Sequence, residues 1–223
     1  MTAYRTIAAL AAWLGLLLQY YLIVQGQSGP AFATRTVNFF SYFTILSNLL
    51  AAIGFSAPLA APRSPLGAFF AHPSVRTAVT LYMCVTAATY IVVLQGLWKP
   101  QGLQWVADIT LHYVTPALVL FDWLAFTPKG DLRLRSVLPW LAFPLAFGIY
   151  TILRGPLTGF YPYPFLDVNE LGLGQVLVNM TVMSAVFGLL GLALVVIGRT
   201  LGRRPRPRAS PSAPAPSAPV RPA

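Results

Sequence analysis

The sequence predicts an all-α polytopic membrane bundle of six transmembrane helices with both termini in the cytoplasm, and three observations carry that prediction. Of the 223 residues, 57% are hydrophobic and only 9% charged, where a soluble domain carries roughly 25% charged residues. Six stretches, approximately 6–25, 38–60, 77–97, 107–127, 137–153 and 173–198, approach the ~20 apolar residues needed to cross a bilayer. The basic residues are also lopsided. With six spans, Arg5, Arg63, Arg76, Lys129, Arg133, Arg135 and the six arginines from Arg199 onward share the side of the termini, leaving only Arg35, Lys99 and Arg154 opposite. The positive-inside rule puts the richer side in the cytoplasm, which implies a multi-pass protein of the inner (plasma) membrane.

Each element follows in turn. Arg5 precedes the first apolar run, and Gly26, Gly29 and Pro30 mark the loop after it. That run and the later Ala31-Phe32-Ala33 have the outline of a cleavable signal peptide. The run exceeds the usual core of roughly 7–15 residues, and the cleavage-like site lies well beyond its end, so the first span is read as retained. Pro58 to Pro65 bound the second loop and Lys129 to Asp131 the fourth, while the short fifth span holds Pro139 and Pro144. No internal repeat suggests an inverted-repeat transporter. Residues 1–198 thus form a transmembrane domain. Residues 199–223, basic and then rich in Pro, Ala and Ser, form a cytoplasmic tail with too little apolar surface to fold. The tail's natural partner is anionic lipid headgroups at the bilayer surface. The net charge of +10 reflects this asymmetry and not nucleic-acid binding. Arginine far exceeds lysine, which together with the Ala/Pro-rich tail points to a bacterial chain.

Chemistry is concentrated in two polar stripes. Asp108, His112, Thr115 and Asp122 fall within about 80° on one face of the fourth span. Ionisable groups at membrane depth are costly and usually face a bundle interior or wet cavity. In the second span Ser41, Thr44 and Asn48 lie within about 60° of one another, flanked by Asn38 and Ser47. Contacts between helices explain such residues singly, but this stripe is denser than packing requires. Tyr82, Thr86 and Thr89 in the third span read as packing, and Gln175 and Asn179 in the sixth are placed to close the same cavity. Thr44 would lie about 9 Å below Asn38, and His112 about 8 Å into its span. If their helices are neighbours, hydroxyl and imidazole form a nucleophile–base pair. Asp108 would orient the ring, and Asn38 or Asn48 would donate to an oxyanion. Asp108 and Asp122 are about 21 Å apart and form no dyad. One intramembrane histidine gives no bis-histidine haem, His72 reads as a solvated loop residue, and Cys84 alone makes neither disulfide nor metal site. No metal or cofactor is expected.

The Phe43-Thr44-Ile45-x-x-Asn48 pattern, the His112 segment ending in Asp122, and the loop Leu157 to Asp167 with its Tyr163-Pro164-Phe165-Leu166-Asp167 element occur in that order. In this the chain resembles the androgen-induced six-span membrane proteins of animals and their small bacterial six-span relatives. The animal members are threonine hydrolases that cleave fatty-acid esters of hydroxy fatty acids. The resemblance matches their nucleophile to Thr44, their histidine to His112 and their Tyr-Pro-Phe-Leu-acid motif to Tyr163 through Asp167, and it implies a lipid-like ester as substrate. The competing expectation is a non-enzymatic protein, a small permease or scaffold, whose polar stripes line a substrate or proton path with His112 as relay.

Overall fold

A computed structural model describes residues 1–130 and 132–202 of the protein. Among them the fold is all-helical, with six helices long and apolar enough to cross a membrane. These are α1 (Thr2–Val24), α3 (Phe43–Ala60), α5 (Pro73–Leu94), α6 (Gly102–Phe126), α7 (Leu134–Thr158) and α8 (Val168–Gly202). Two shorter helices, α2 (Gly29–Phe39) and α4 (Pro65–Ala71), lie between spans. The predicted tail falls, from residue 203 on, outside the described residues. Its first positions, 199–202, still belong to α8, because the apolar helix runs on past the expected boundary.

Helices α1, α3, α5 and α6 pack together, with α8 against α5 and α7 against α8. Apolar residues fill the core and also cover the outside, which a water-soluble bundle avoids. Leu10, Leu14 and Leu17 on α1 and Val182, Leu189 and Val196 on α8 are exposed, whereas buried positions include Asp108, Asp122 and Arg5. Such a pattern fits a lipid solvent, in which outward leucines cost nothing, and the protein is read as a multi-pass membrane protein.

Proline shapes two spans. Pro144 has no N–H for the carbonyl of Trp140. That carbonyl instead accepts the Tyr82 hydroxyl at 2.8 Å, which fastens α7 to α5 and bears out the packing reading of Tyr82. In α6, Pro116 offers no N–H to the carbonyl of His112, and the preceding turn, Thr110–Val114, is a wide π turn in which the Thr115 N–H bonds to the Thr110 carbonyl. A second π turn, Tyr90–Leu94, ends α5, with the Gln95 N–H on the Tyr90 carbonyl at 2.8 Å. Single π turns inside α-helices are frequent at functional sites, and here the two bring Tyr90 and His112 face to face.

The end of the bundle near residue 2 is tied by charge. Asp122 receives Arg5 Nε at 2.6 Å and Arg5 Nη2 at 3.2 Å, and Arg76 Nη1 at 2.8 Å. All three side chains are at least nine-tenths buried. Asp122 therefore joins α1, α5 and α6 and does not share a site with His112, which lies about 15 Å along the helix. Nearby, Lys129 Nζ donates to the carbonyls of Leu124 and Thr127, both at 2.9 Å. This closes the C-terminal end of α6, where a cation also meets the negative end of the helix dipole.

Candidate functional site

The site is built at the opposite end of the bundle, around the N-terminus of α3. The expected second span from residue 38 is divided. Asn38 lies in the last turn of α2, which ends at Phe39; the chain turns through Phe40 (φ −75°, ψ 0°), and α3 starts at Phe43 after an extended Tyr42. Ser41 consequently lies in the turn and not on one face with Thr44 and Asn48. Its hydroxyl bonds the Val37 carbonyl at 2.7 Å and the Tyr150 hydroxyl at 2.8 Å, which ties this turn to α7. Thr44 becomes the second residue of α3, in the turn whose N–H groups have no intrahelical acceptor.

Thr44 Oγ1 is 3.4 Å from His112 Nε2. The other ring nitrogen, Nδ1, lies 3.0 Å from the Asp108 carbonyl and 3.3 Å from Asp108 Oδ1. A backbone carbonyl can only accept, so Nδ1 carries the proton and Nε2 presents its lone pair to the threonine hydroxyl. Tyr90 adds two constraints. Its hydroxyl donates to Asp108 Oδ2, and its ring stacks on the imidazole with centroids 3.9 Å apart and planes 14° from parallel. Tyr90 has no distinguishing mark in the sequence beyond lying one turn past Thr86.

Tyr163 approaches Thr44 from the loop after α7. Its hydroxyl accepts the Thr44 N–H at 3.0 Å and lies 3.2 Å from Thr44 Oγ1. Burial pushes the Tyr163 phenol up to about 12, opposed by its bonds to Thr44, so the phenol stays protonated at neutral pH and has a proton to donate. The loop is held from both sides. Tyr42 packs edge-on against Phe160 and Tyr163. Arg154 Nη2 donates to Asn38 Oδ1 at 2.6 Å, joining α7 to α2. Asn179 Nδ2 donates to the Phe165 carbonyl at 2.9 Å, and Gln175 Nε2 to Asn179 Oδ1 at 3.0 Å. These last two therefore brace the loop instead of closing the cavity.

Other expected site residues are placed elsewhere. Both N–H groups of Asn48 are engaged, on the Thr44 carbonyl at 2.8 Å and the Leu111 carbonyl at 3.1 Å. Asn48 locks α3 to the π turn of α6 and has no proton left for an oxyanion. Asn38 lines the cavity through its pairing with Arg154. Thr115 is fully buried and outside the cavity lining. Asp167 Oδ1 accepts the N–H groups of Asn169 at 2.9 Å and Glu170 at 3.4 Å, the role of an N-cap for α8. In the third span, Thr86 bonds Ser47 across the α3–α5 contact at 3.0 Å, as packing predicts.

Thr44, His112, Asp108, Tyr90 and Tyr163 all line one cavity of about 430 Å³. Arg35, Asn38 and Gln104 give it polar walls, and Phe160, Pro162 and Pro164 from the late loop form one side. Among the described residues no cluster of three or more His, Cys, Asp or Glu is placed to hold a metal ion. The arrangement can activate a hydroxyl by general base and offer a phenol at the positive end of α3 to a developing negative charge.

Gly155 tests how tightly the loop is positioned. A Cβ there would lie 2.0 Å from the Tyr161 ring, whose hydroxyl is itself buried. Gly155→Ala is expected to destabilise the protein by about 1–3 kcal/mol, the usual cost of overpacking, read as a lower melting temperature in detergent. An unchanged melting temperature would show that the loop does not press on α7.

No protein family, curated protein or solved structure matches the chain.

Proposed function

We propose that the protein is an intramembrane hydrolase of lipid-like esters with Thr44 as nucleophile. The observation that carries the reading is the 3.4 Å approach of Thr44 Oγ1 to a histidine nitrogen whose lone pair is free, because Asp108 occupies the other nitrogen. His112 takes the Thr44 proton as Oγ1 bonds the ester carbonyl carbon. The oxyanion is met by the Tyr163 hydroxyl, which the Thr44 N–H holds at the positive end of α3. Collapse breaks the carbonyl carbon–alkoxy bond, and His112 returns the proton to the departing alcohol. Water then attacks the acyl-threonine, with His112 again as base, releasing the acid and restoring Thr44. Asp108 holds the tautomer and stabilises the imidazolium, and Tyr90 holds Asp108. The resemblance to the androgen-induced six-span proteins accords with this assignment.

A permease reading has less support. The cavity abuts Ile45 and Leu111, and the far end of the bundle is closed by the Arg5–Asp122–Arg76 cluster, so a transport path would have to cross a packed core. The test is labelling of the purified protein by a fluorophosphonate probe, together with hydrolysis of a panel of acyl esters. Labelling and turnover lost in folded Thr44→Ala, and partly kept in Thr44→Ser, support the reading. A parent that neither labels nor hydrolyses any ester overturns it.

We further propose that both termini are cytoplasmic, in the inner membrane, so that the cavity opens toward the outer leaflet. The support is the excess of arginine and lysine on the terminal side. Reporter fusions after Gly130 and at the C-terminus are expected to read cytoplasmic. A periplasmic signal at either position reverses the orientation.

A further inference from the structure

A second void meets the site at Thr44. About 70 Å³ of space lies between α5, α7 and α8, and Thr44, Leu94 and Tyr163 line both it and the larger cavity. Its inner walls are apolar, formed by Phe43, Val85, Phe147 and Phe187. Of the three further hydroxyls on the wall, Thr86 bonds Ser47 at 3.0 Å and Ser184 the Met180 carbonyl at 2.8 Å, which leaves Thr89 as a polar point on an otherwise apolar lining. A void lined mainly by such side chains favours apolar guests. Its inner end meets the hydroxyls of Thr44 and Tyr163. Its outer end faces the groove between α7 and α8, where Leu145 is exposed and Met180 and Met183 are half-buried. Gly148 keeps the slot open on the α7 side. A Cβ there would come within 2.5 Å of Met180 Cε and push that flexible side chain into the space.

We propose that this slot is the acyl subsite of the Thr44 centre. The acyl chain enters sideways from the bilayer between α7 and α8, its first few carbons filling the slot and the rest running out along the groove, and the alcohol portion occupies the larger cavity with Arg35, Asn38 and Gln104 on its walls. The proposal rests on the hydrolase reading, since it assigns the two arms of that reaction's substrate. Two voids that meet at one nucleophile, one apolar and one that adds Arg35, Asn38 and Gln104 to its apolar walls, match the two sides of a scissile ester. A chain leaving lipid for an apolar slot exchanges one apolar surrounding for another. The slot therefore selects by shape and length and adds little to affinity.

The test uses full-length protein in phosphatidylcholine nanodiscs and p-nitrophenyl esters from acetate to decanoate. Gly148→Val is expected to lower kcat/KM for octanoate at least tenfold more than for acetate. Met180→Ala, which enlarges the slot, is expected to shift preference toward the longer chains. A length profile unchanged in both variants overturns the proposal. A second measurement is independent of turnover: photolysis of a 16-carbon fatty acid carrying a diazirine on its third carbon, next to the carboxyl end, followed by peptide mapping. Labels on Phe43 or Phe187, which are buried and out of reach of lipid on the outer surface, support the slot even if the parent cleaves no ester, in which case only the catalytic reading fails. Labels confined to outward-facing residues overturn the slot whatever the activity.

Discussion

Replacing His112 with alanine is expected to reduce ester hydrolysis by at least about a thousandfold, as loss of a base in such a unit does, and Thr44→Ala is expected to do the same. The double variant should be little worse than either, because residues that act as one unit lose their function together. The geometry explains why. Among the described residues, His112 is the base within reach of Thr44, and the Thr44 hydroxyl is the proton that faces His112 Nε2. Asp108→Asn should slow the reaction without abolishing it, since the Asp108 backbone carbonyl, 3.0 Å from Nδ1, survives that change and still fixes the tautomer. The measurement is kcat and KM on a soluble ester at matched levels of folded protein. Losses that multiply in the double variant would show that the two residues act separately, and the relay would fall.

Asp122→Asn is expected to be the most destabilising single substitution in the membrane domain. The carboxylate neutralises two buried guanidinium groups that converge on it from α1 and α5. Removing one partner of a buried pair leaves charge without compensation and costs about 3–5 kcal/mol, and here two like charges would be left side by side. The readout is the melting temperature and the recovered yield in mild detergent. Arg76→Met added to Asp122→Asn should recover part of the loss by removing one of the stranded charges. A melting temperature unchanged in Asp122→Asn would mean that the cluster is solvated and the tie between α1, α5 and α6 lies elsewhere. Since this cluster is remote from Thr44, the surviving folded fraction should keep its activity per molecule.

The spans themselves were legible in the sequence, because a bilayer imposes a length and a polarity that no tertiary contact can override. All six expected stretches overlap the observed helices, with ends displaced by a few residues where proline and capping residues set them. That polar groups gather on α3 and α6 was legible for the same reason, since they are too costly to leave in lipid. The separation of α2 from α3 was not. The break at 40–42 contains neither Gly nor Pro and is held by Ser41 on Tyr150 and by Tyr163 on Thr44, partners more than a hundred residues away.

The same limit governs the site. The sequence alone determined that a hydroxyl and an imidazole would lie buried at comparable depth in separate helices, because helical rise converts residue number into depth. Only the tertiary structure decided that they meet, that Asp122 turns to Arg5 and Arg76, that Tyr90 joins the site, and that Tyr163 reaches Thr44 from the late loop. Periodicity gives the face a residue occupies on its own helix. Which helix that face meets depends on packing among all six, and here also on two π turns whose wide registers follow from packing and from Pro116.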